Sequence, residues 1–406
     1  MQNLPHVVVG RQGELAARGG HPWIYETEVK ALDQGVSPGD LVHVFSHKGK
    51  YIGTGFYNPF SKIAIRIFSW NASDQIDAAF WKRRISYAVR YRRQVMGEKD
   101  MRCCRLIFGE ADQFPGLTVD RFEDLLSVQV LSLGMEVRKR EILDGMLEVL
   151  REEGIAIASV YERNDVSLRK LEGMQMGKGF YESALLDPEK RKTKTEILEN
   201  GIRYEVDVEN GQKTGFFLDQ KYNRRAVGRI SSGLRVLDCF THTGAFALNA
   251  AAGGAVLADA VDISQEAVRY AQKNSLLNHL KVRPLQADVF DYLKELDESG
   301  KHLYDFIILD PPAFTKSGAT VRNAFRGYKE INYRAMKILP RGGYLATCSC
   351  SHFMGEELFR KMLKEAARDA GVSLRQIECR QQSPDHPIVM TIPETSYLKF
   401  FLFQIV

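Results

Sequence analysis

The sequence predicts an α/β protein, with a parallel sheet in its C-terminal half preceded by a small β-barrel and an α+β module. Three observations support this fold class. Between Arg235 and Asp262 an apolar run ends in Asp238, a short loop reaches Gly244, and strong helix formers lead to a second apolar run. This is the pattern of one βαβ unit. Apolar runs and helical periodicity then alternate as far as Ala370, whereas the first 73 residues hold short β-branched and aromatic runs between glycines and prolines.

The composition is that of an ordinary globular protein, with 44% hydrophobic and 26% charged residues in a chain of 406. No apolar run approaches the roughly 18 residues of a membrane span, and the N-terminus lacks the cationic start and apolar block of a secretory signal. We therefore expect a cytoplasmic protein without membrane contact. Six cysteines in so long a chain do not form a disulfide framework, so we expect free thiols.

The N-terminal region is predicted to be a compact barrel followed by a helix. Strands are expected at Leu41–Phe45, Tyr51–Phe56 and Ile63–Phe68, and helical propensity extends from Asp77 to about Met96. This helix opens a basic strip that contains Tyr87 and Tyr91 and these nine basic residues: Lys82, Arg83, Arg84, Arg90, Arg92, Arg93, Lys99, Arg102 and Arg105. The strip is either a phosphate-binding surface with aromatic stacking partners or a solvated helix face.

The middle of the chain is predicted to be an α+β module. Leu117–Phe122 and Leu126–Leu133 are expected to form paired strands, Glu136–Arg151 an amphipathic helix and Ile155–Tyr161 a returning strand. A linker rich in charged residues is expected over 186–195, and a hairpin over 197–208 around Asn200-Gly201. The predicted domains are therefore 1–73, 74–190 and 191–406.

The C-terminal region continues the strand and helix alternation of an α/β sheet. After the first unit the expected elements are a helix at Ser264–Leu277, a strand at Val282–Ala287, a helix at Phe290–Leu296, a strand at Phe306–Leu309, a helix at Ala324–Leu339, a strand at Tyr344–Ser349 and a helix at Glu356–Ala370. Two strands follow, and the second, Tyr397–Val406, is strongly apolar. Because no helix fits between these two strands, we expect them to pair antiparallel.

Acidic residues end several of the predicted parallel strands, where such sheets bind nucleosides. Gly244 allows a ligand to approach the loop, Asp238 can accept a hydrogen bond, Asp262 is placed for a ribose diol and Asp288 for an adenine amino group. Each has a structural alternative, because helix-start glycines and helix-capping aspartates are common. The absence of G-x-G-x-x-G argues against dinucleotide binding.

The next two strand ends carry the groups that suggest chemistry. Two prolines follow Asp310 and restrict it to extended conformations, so its carboxylate is held at the sheet edge. Strand periodicity puts Cys348 and Cys350 on one side, with Cys350 nearer the loop edge and therefore the candidate nucleophile. Cys348 is better interpreted as a small buried residue. His352 lies nearby, but no second ligand pair follows in chelating order, so no metal site is predicted.

Taken together, these motifs resemble the class I S-adenosylmethionine-dependent methyltransferases. The run Lys213–Gln220, which combines a glycine with two aromatics, is followed by Tyr222-Asn223-Arg224. It is similar to a segment of the bacterial large-subunit rRNA cytosine-C5 methyltransferases that carry an N-terminal PUA domain. Pro22–Tyr25 and Gly53–Pro59 resemble that PUA domain, and Phe114–Arg121 resembles the central domain, although Gln113 stands where the family commonly has a glycine-containing turn.

The resemblance implies a Rossmann-like class I methyltransferase sheet at 191–406, an RNA-binding PUA domain at 1–73, and S-adenosylmethionine as cofactor. It implies RNA, as 23S rRNA or its precursor, as partner, and suggests a homodimer. The cofactor contacts it implies are Phe217, Asp219, Gln220, Asp238, Phe240, Gly244, Asp262, Ile263, Asp288 and Asp310.

The implied reaction is methylation of cytosine C5 through a covalent adduct between a cysteine and C6. Ser349-Cys350-Ser351 matches the family's Ser-Cys-Ser setting, so Cys350 is the expected nucleophile, with Cys348 in a Thr-Cys-Ser setting as the reserve. Asp310 is expected to bind the N3 or amino edge of the base. Alternatives are a guanine methyltransferase acting on N7 or N2, a non-catalytic RNA-binding or ribosome-assembly protein, and, more distantly, a nicotinamide oxidoreductase.

Overall fold

The structure is a computed structural model that describes residues 2–315 and 317–406. These residues divide into two compact units, and the chain passes between them repeatedly. The first unit contains the chain up to Ile197 together with Glu205–Leu218 and Pro384–Thr395. The second unit contains Leu198–Tyr204, Asp219–Ser383 and Ser396–Val406. This division does not test the boundaries expected at residues 73 and 190, which stay predictions.

The N-terminal part of the first unit is a mainly antiparallel sheet. Its elements are β1 (His6–Val9), α1 (Arg11–Arg18), β2 (Trp23–Tyr25), β3 (Val29–Leu32), β4 (Leu41–Ser46), β5 (Tyr51–Tyr57) and β6 (Ile63–Ser69). The strand order is β2-β6-β5-β4-β1-β3, and β1 pairs parallel with β4. Val42 and Val44 on β4 are fully buried and belong to the apolar cluster of this sheet.

The second part of the first unit is the predicted α+β module. Its elements are α2 (Ala78–Met96), β7 (Cys103–Phe108), β8 (Leu117–Phe122), β9 (Leu125–Val130), α3 (Leu133–Val137), α4 (Lys139–Glu152), β10 (Ser159–Asn164), α5 (Leu168–Leu171) and β11 (Gly177–Phe180). The strand order is β11-β10-β9-β8-β7. Apolar residues of α2 and α4, including Trp81 and Met146, share one buried cluster with the sheet.

Three boundaries in this module differ from the prediction. The second paired strand was expected to reach Leu133 but ends at Val130, and Leu133 begins α3. The helix expected over 136–151 is interrupted at Arg138, which has non-helical dihedral angles and donates to the carbonyl of Gly39 at 2.7 Å. The returning strand begins only at Ser159, because the N–H of Ile155 bonds the carbonyl of Leu150 and closes the end of α4. Gln113 has a φ of 63°, the left-handed region that favours glycine.

The basic strip is largely used for ion pairs inside the first unit. Arg92 is fully buried and binds both carboxylate oxygens of Asp112, and Arg105 binds both oxygens of the buried Asp120. The remaining pairs are Lys82 with Glu148, Arg93 with Glu153 and Arg102 with Glu123. Arg90 is exposed and lies 5.6 Å from the centre of the Tyr87 ring. Several of the nine residues therefore stabilise the fold, so the strip is not simply a solvated helix face, and phosphate binding by its exposed residues stays a prediction.

A hairpin connects the two units. Its strands are β12 (Lys194–Glu199) and β13 (Ile202–Asp207). Asn200 and Gly201 between them both have positive φ, 54° and 83°, as a two-residue turn of the Asn-Gly type requires. The hairpin is confirmed, and β12 already begins within the segment expected to be a linker.

The second unit is an α/β sheet covered by helices. Its elements are α6 (Lys221–Ile230), β14 (Arg235–Cys239), α7 (Ala245–Ala252), β15 (Leu257–Asp262), α8 (Gln265–Leu277), β16 (Arg283–Gln286), α9 (Val289–Glu298), β17 (Phe306–Leu309), α10 (Val321–Ile338), β18 (Tyr344–Ser349), α11 (Glu356–Ala370), β19 (Leu374–Arg380) and β20 (Lys399–Ile405). The order is β16-β15-β14-β17-β18-β20-β19. Strands β14 to β18 run parallel, and β20 is antiparallel to both neighbours, as predicted.

All six cysteines are free thiols. Within residues 2–315 and 317–406, no helix combines the length and apolar character needed to span a membrane.

Helices α6 and α7 approach each other at two glycines. A Cβ on Gly253, which ends α7, would lie 2.0 Å from the backbone oxygen of Gly228 on α6. A Cβ on Gly228 would in turn lie 2.8 Å from the backbone oxygen of Asn249 on α7. Because the obstructing atoms belong to the backbone, no side-chain rotation relieves such a contact.

We predict that Gly253→Ala lowers the free energy of unfolding by about 1–3 kcal/mol, because the added methyl forces α6 and α7 apart. Chemical denaturation of the full chain measures the change. Gly318→Ala is the matched control, since a Cβ there meets nothing within 4 Å, and it should change stability by less than about 0.5 kcal/mol. Equal effects of the two substitutions would contradict the close helix contact.

Candidate active site

The predicted site residues of the second unit follow the carboxyl ends of neighbouring parallel strands. Asp238 lies near the end of β14, Asp262 ends β15, Asp310 follows β17 and Cys350 follows β18. The pairings of Cys239 with Leu309 and of Leu309 with Thr347 place these ends at one edge of the sheet. In open α/β sheets this edge is where ligands bind.

Asp238 is a fully buried carboxylate under the loop after β14. Its Oδ2 accepts hydrogen bonds from the Thr241 hydroxyl and from the Ala247 N–H, the latter at 3.0 Å. Its Oδ1 is buried and has no hydrogen-bond partner among the residues that the structure describes. Burial raises the pKa of Asp238 to about 7. One acceptor atom is therefore available to a cationic or amide-bearing group.

Gly244 starts α7 and has a packing role. It has a φ of 80°, and a Cβ there would lie 2.9 Å from the Cβ of Ala271 on α8. These two observations support the structural interpretation of Gly244 as a helix-start glycine. A larger residue would strain the backbone and push against α8.

The aspartates of the next two strand ends bind loop backbone. Asp262 accepts from the N–H of His242 through Oδ2 and from the N–H of Ser264 through Oδ1, both at 2.9 Å. Asp288 caps α9, with Oδ1 accepting from the N–H of Phe290 at 2.8 Å. Both carboxylates therefore have structural partners, and their predicted contacts to a ribose and an adenine stay predictions.

Apolar side chains lie beside these aspartates. The rings of Phe240, Phe290 and Phe314 are neighbours, with centroids 5.9 to 6.4 Å apart. Phe240 has a φ of 61°, so the backbone of the loop is turned sharply directly after β14. Ile263 is 64% exposed, which leaves its side chain accessible to a planar ligand. These residues can supply apolar walls for a nucleoside.

Asp310 is held by a chain of amides from the start of α6. The Nε2 of Gln220 donates to its Oδ1 at 3.0 Å, and the Nδ2 of Asn223 donates to the Oε1 of Gln220 at 2.7 Å. Removal from water, followed by repulsion from Asp219, raises the pKa of Asp310 to about 6. A substantial fraction of this carboxyl is therefore protonated near pH 6, so it can donate as well as accept a hydrogen bond.

The segment before α6 is divided between the units. Asp219 is buried in the second unit, where the Tyr397 hydroxyl donates to its Oδ2 at 2.7 Å. Phe217 belongs to the first unit, where the Nζ of Lys213 lies 4.6 Å from the centre of its ring. The role of Phe217 as a cofactor contact stays a prediction.

The two cysteines of β18 and its end differ in accessibility. Cys348 is fully buried, is hydrogen-bonded to Gln220 and Asp310, and has a pKa raised well above that of an ordinary thiol, chiefly by burial. Cys350 follows the strand and is partly exposed. Because a thiolate is the reactive form and burial disfavours it at Cys348, the assignment of Cys350 as the nucleophile stays a prediction that this accessibility favours.

Sequence reasoning missed two residues that contact the segment around Cys350. The hydroxyl of Tyr328 on α10 is hydrogen-bonded to Ser349 at 3.1 Å and to Ser351 at 3.0 Å. Lys399 on β20 is buried and donates to the carbonyl of Ser351. A single lysine within the apolar run Tyr397–Val406 was the available signal for the second of these.

No metal site is found in the described part of the chain, where no group of at least three His, Cys, Asp or Glu side chains could hold an ion. Cys348, Cys350 and His352 are therefore interpreted without a metal.

Comparison with known proteins shows the family to which the chain belongs. A family model of S-adenosylmethionine-dependent methyltransferases matches residues 182–404, and a PUA-like domain model matches residues 7–70. The chain is 37% identical over 400 residues to the ribosomal RNA large subunit methyltransferase I of Shigella dysenteriae serotype 1, covering 98% of this chain and 97% of that protein. It is also 37% identical over 395 residues to the protein of the same name from Escherichia coli, covering 97% and 96% of the two chains.

Solved structures share the fold. A protein from Streptococcus mutans, described as a SAM-dependent methyltransferase, superposes with a TM-score of 0.81 at 22% identity over 98% of this chain and 99% of that chain. A methyltransferase structure complexed with SAH gives the same values. From the family match and the full-length relatives together, the chain belongs to the S-adenosylmethionine-dependent methyltransferases and uses S-adenosylmethionine as its cofactor.

Proposed function

We propose that this protein methylates C5 of a cytosine in large-subunit ribosomal RNA, with Cys350 as the nucleophile. The main support is the partly exposed thiol of Cys350 at the end of β18, next to the strand that ends in Asp310. The substrate class is supported by relatives named ribosomal RNA large subunit methyltransferase I and by the PUA-like domain.

The residues at the sheet edge fit the cofactor. The buried Oδ1 of Asp238, which has no partner among the described residues, would accept from the cationic amino group of S-adenosylmethionine. Asp262 and Asp288 are assigned to the ribose and the adenine, and Ile263 and Phe240 to the apolar walls. When bound, the cofactor supplies an electrophilic methyl group on a sulfonium.

Cytosine needs a nucleophile because its C5 is too electron-poor to accept a methyl group directly. Attack of the Cys350 thiolate forms a bond from Sγ to C6 and moves electron density onto C5 and N3. C5 then takes the methyl group, after which removal of the C5 proton breaks the bond from Sγ to C6 and releases the thiolate. Cys350 is therefore regenerated in each turnover.

Asp310 is assigned to the N3 edge of the attacked ring. Its pKa of about 6 leaves it able to share a proton with N3 as negative charge develops there. Gln220 and Asn223 hold the carboxylate in place, so little reorganisation is needed during the attack. A base in paired RNA must leave the stack first, at a cost of a few kcal/mol.

Two alternatives predict different results. A guanine methyltransferase acting on N7 or N2 needs no cysteine, because those atoms are nucleophilic already. A non-catalytic RNA-binding protein needs neither the cysteine nor a cofactor. The partly exposed thiol of Cys350, which follows the strand paired with the one before Asp310, favours the cytosine reaction over both.

We predict that deleting the gene removes one 5-methylcytosine from large-subunit ribosomal RNA and leaves all methylguanosines intact. Mass mapping of that RNA from cells with and without the gene measures the change. Loss of a methylguanosine instead would transfer the protein to the guanine class, and an unchanged map would favour the non-catalytic role.

We predict that Cys350→Ser lowers kcat by at least about 10³-fold and abolishes the covalent complex with RNA that contains 5-fluorocytidine. Fluorine at C5 cannot leave as a cation, so the adduct with the wild-type thiol persists in denaturing gels. Cys348→Ser is the matched control and should still form the complex, while both variants bind S-adenosylmethionine as the wild type does. A complex that survives Cys350→Ser but not Cys348→Ser would make Cys348 the nucleophile.

We predict that S-adenosylmethionine binds about tenfold more tightly at pH 7.5 than at pH 6, because a cation requires Asp238 in its ionised form. The pKa of Asp238 in the free protein is about 7, so the carboxylate is mostly protonated at the lower pH and mostly ionised at the higher one. Titration calorimetry measures the affinities. Asp238→Asn should bind weakly and show a flat profile, and a flat profile of the wild type would refute the assignment.

A further inference from the structure

Lys399 is a buried cation beside the proposed nucleophile. It opens the apolar strand β20, is only 7% exposed, and pairs across the sheet with Ser349, the residue before Cys350. A lysine is almost never buried without a partner, because the loss of hydration costs several kcal/mol. Its position therefore requires an explanation.

Two carbonyl groups fix the ammonium of Lys399. Its Nζ donates to the carbonyl of Ser351 and to that of Tyr397, both at 2.7 Å. Since an ammonium has three N–H groups, these contacts leave one N–H for another acceptor. Burial lowers the pKa of Lys399 to about 8, and the electrostatic interaction next in size is with the Cys350 thiol.

The segment from Ser349 to Ser351 is held on both sides of Cys350. Tyr328 is hydrogen-bonded to both serine hydroxyls, and Lys399 holds the Ser351 carbonyl. The backbone that carries the thiol is therefore fixed by side chains from α10 and β20.

Other titratable groups lie in the same surroundings. Glu356 on α11 also interacts with Lys399, but its carboxylate is paired with Arg360 at 2.8 Å. Tyr328 has a raised pKa, chiefly from burial. Among the described residues, Cys348 interacts with both Cys350 and Asp310, and His352 lies on the loop two residues after Cys350.

We propose that Lys399 is a positioning residue that holds the segment around Cys350 through the Ser351 carbonyl and favours the thiolate form of Cys350. This inference rests on the proposed role of Cys350. The thiol proton leaves to solvent, and the resulting thiolate and ammonium form a neutral pair. The thiolate charge is consumed when Sγ bonds to C6 and returns beside the same ammonium when the product leaves. No further reactant is needed.

The test is the pH profile of alkylation of Cys350 by iodoacetamide in the full-length protein without RNA, followed by peptide mass spectrometry. The wild-type rate should reach half its maximum below about pH 8.5, the ordinary value for a free thiol. Lys399→Met should shift the profile upward, so that alkylation at pH 7 is about tenfold slower. Lys399→Arg should restore most of the rate, because it returns the positive charge.

The exposed Cys379 is an internal reference whose alkylation should not change among the variants. Lys364→Met, on the surface of α11, is the matched control and should leave the Cys350 profile unaltered. A wild-type profile at or above that of a free thiol would overturn the proposal even if Lys399→Met failed to fold. An unshifted profile in Lys399→Met, or an arginine variant as slow as the methionine variant, would also overturn it.

The proposed role of Lys399 and the proposed reaction can be refuted independently of each other. A covalent complex with 5-fluorocytidine RNA together with an unshifted profile would refute only the role of Lys399. A shifted profile in a protein that forms no 5-methylcytosine would support the pairing of Lys399 with the thiol and refute the reaction.

Discussion

The parallel pairing of β14, β17 and β18 is the constraint on which the site depends. Backbone hydrogen bonds fix Asp238 opposite Ile308 and Leu309 opposite Thr347, so the residues that follow these strands emerge at one edge. Parallel strands of this kind are buried on both faces, and β17 has no exposed residue. Polar groups can therefore reach a ligand only where the strands end. This geometry brings the carboxyl groups of Asp238 and Asp310 to one edge, although the two residues are more than seventy positions apart in the sequence. Cys350 follows the neighbouring strand β18 at the same edge.

Burial shifts the pKa of each of three ionisable groups at this edge in the direction that favours the neutral form. It raises the pKa of Asp238 to about 7 and that of Asp310 to about 6, and it lowers that of Lys399 to about 8. Groups with such values change protonation within the physiological range, so the binding of a charged ligand can move a proton at each of them. A charged ligand can therefore change the protonation of the site without a large movement of the backbone.

Much of the fold was predictable from local patterns, whereas features that depend on distant partners were not. The apolar runs gave β17, β18 and α11 with their observed bounds, because buried strands and amphipathic helices follow simple periods. The ion pairs of the basic strip were not predictable, because Asp112 and Asp120, which pair with Arg92 and Arg105, are identified only by tertiary structure. In the site, the strand-end residues were predictable from their order, but the amide chain through Asn223 and the contacts of Tyr328 and Lys399 come from other elements.

Residues Pro384–Thr395 belong to the first unit, although the chain on both sides of them belongs to the second. This arrangement limits where the protein can be cut or fused. In the first unit the N–H of Arg105 donates to the buried Asp385, and the guanidinium of Arg92 donates to the Asp385 carbonyl. Strand β20, which begins at Lys399, follows this segment after the chain has re-entered the second unit. A catalytic fragment made by one cut between Arg105 and the start of the second unit would retain Asp385 without Arg92 and Arg105. A gene fusion that exchanges the catalytic part of this chain with that of a relative must therefore also exchange the residues of the first unit that bind this segment. We expect the two units to be inherited together.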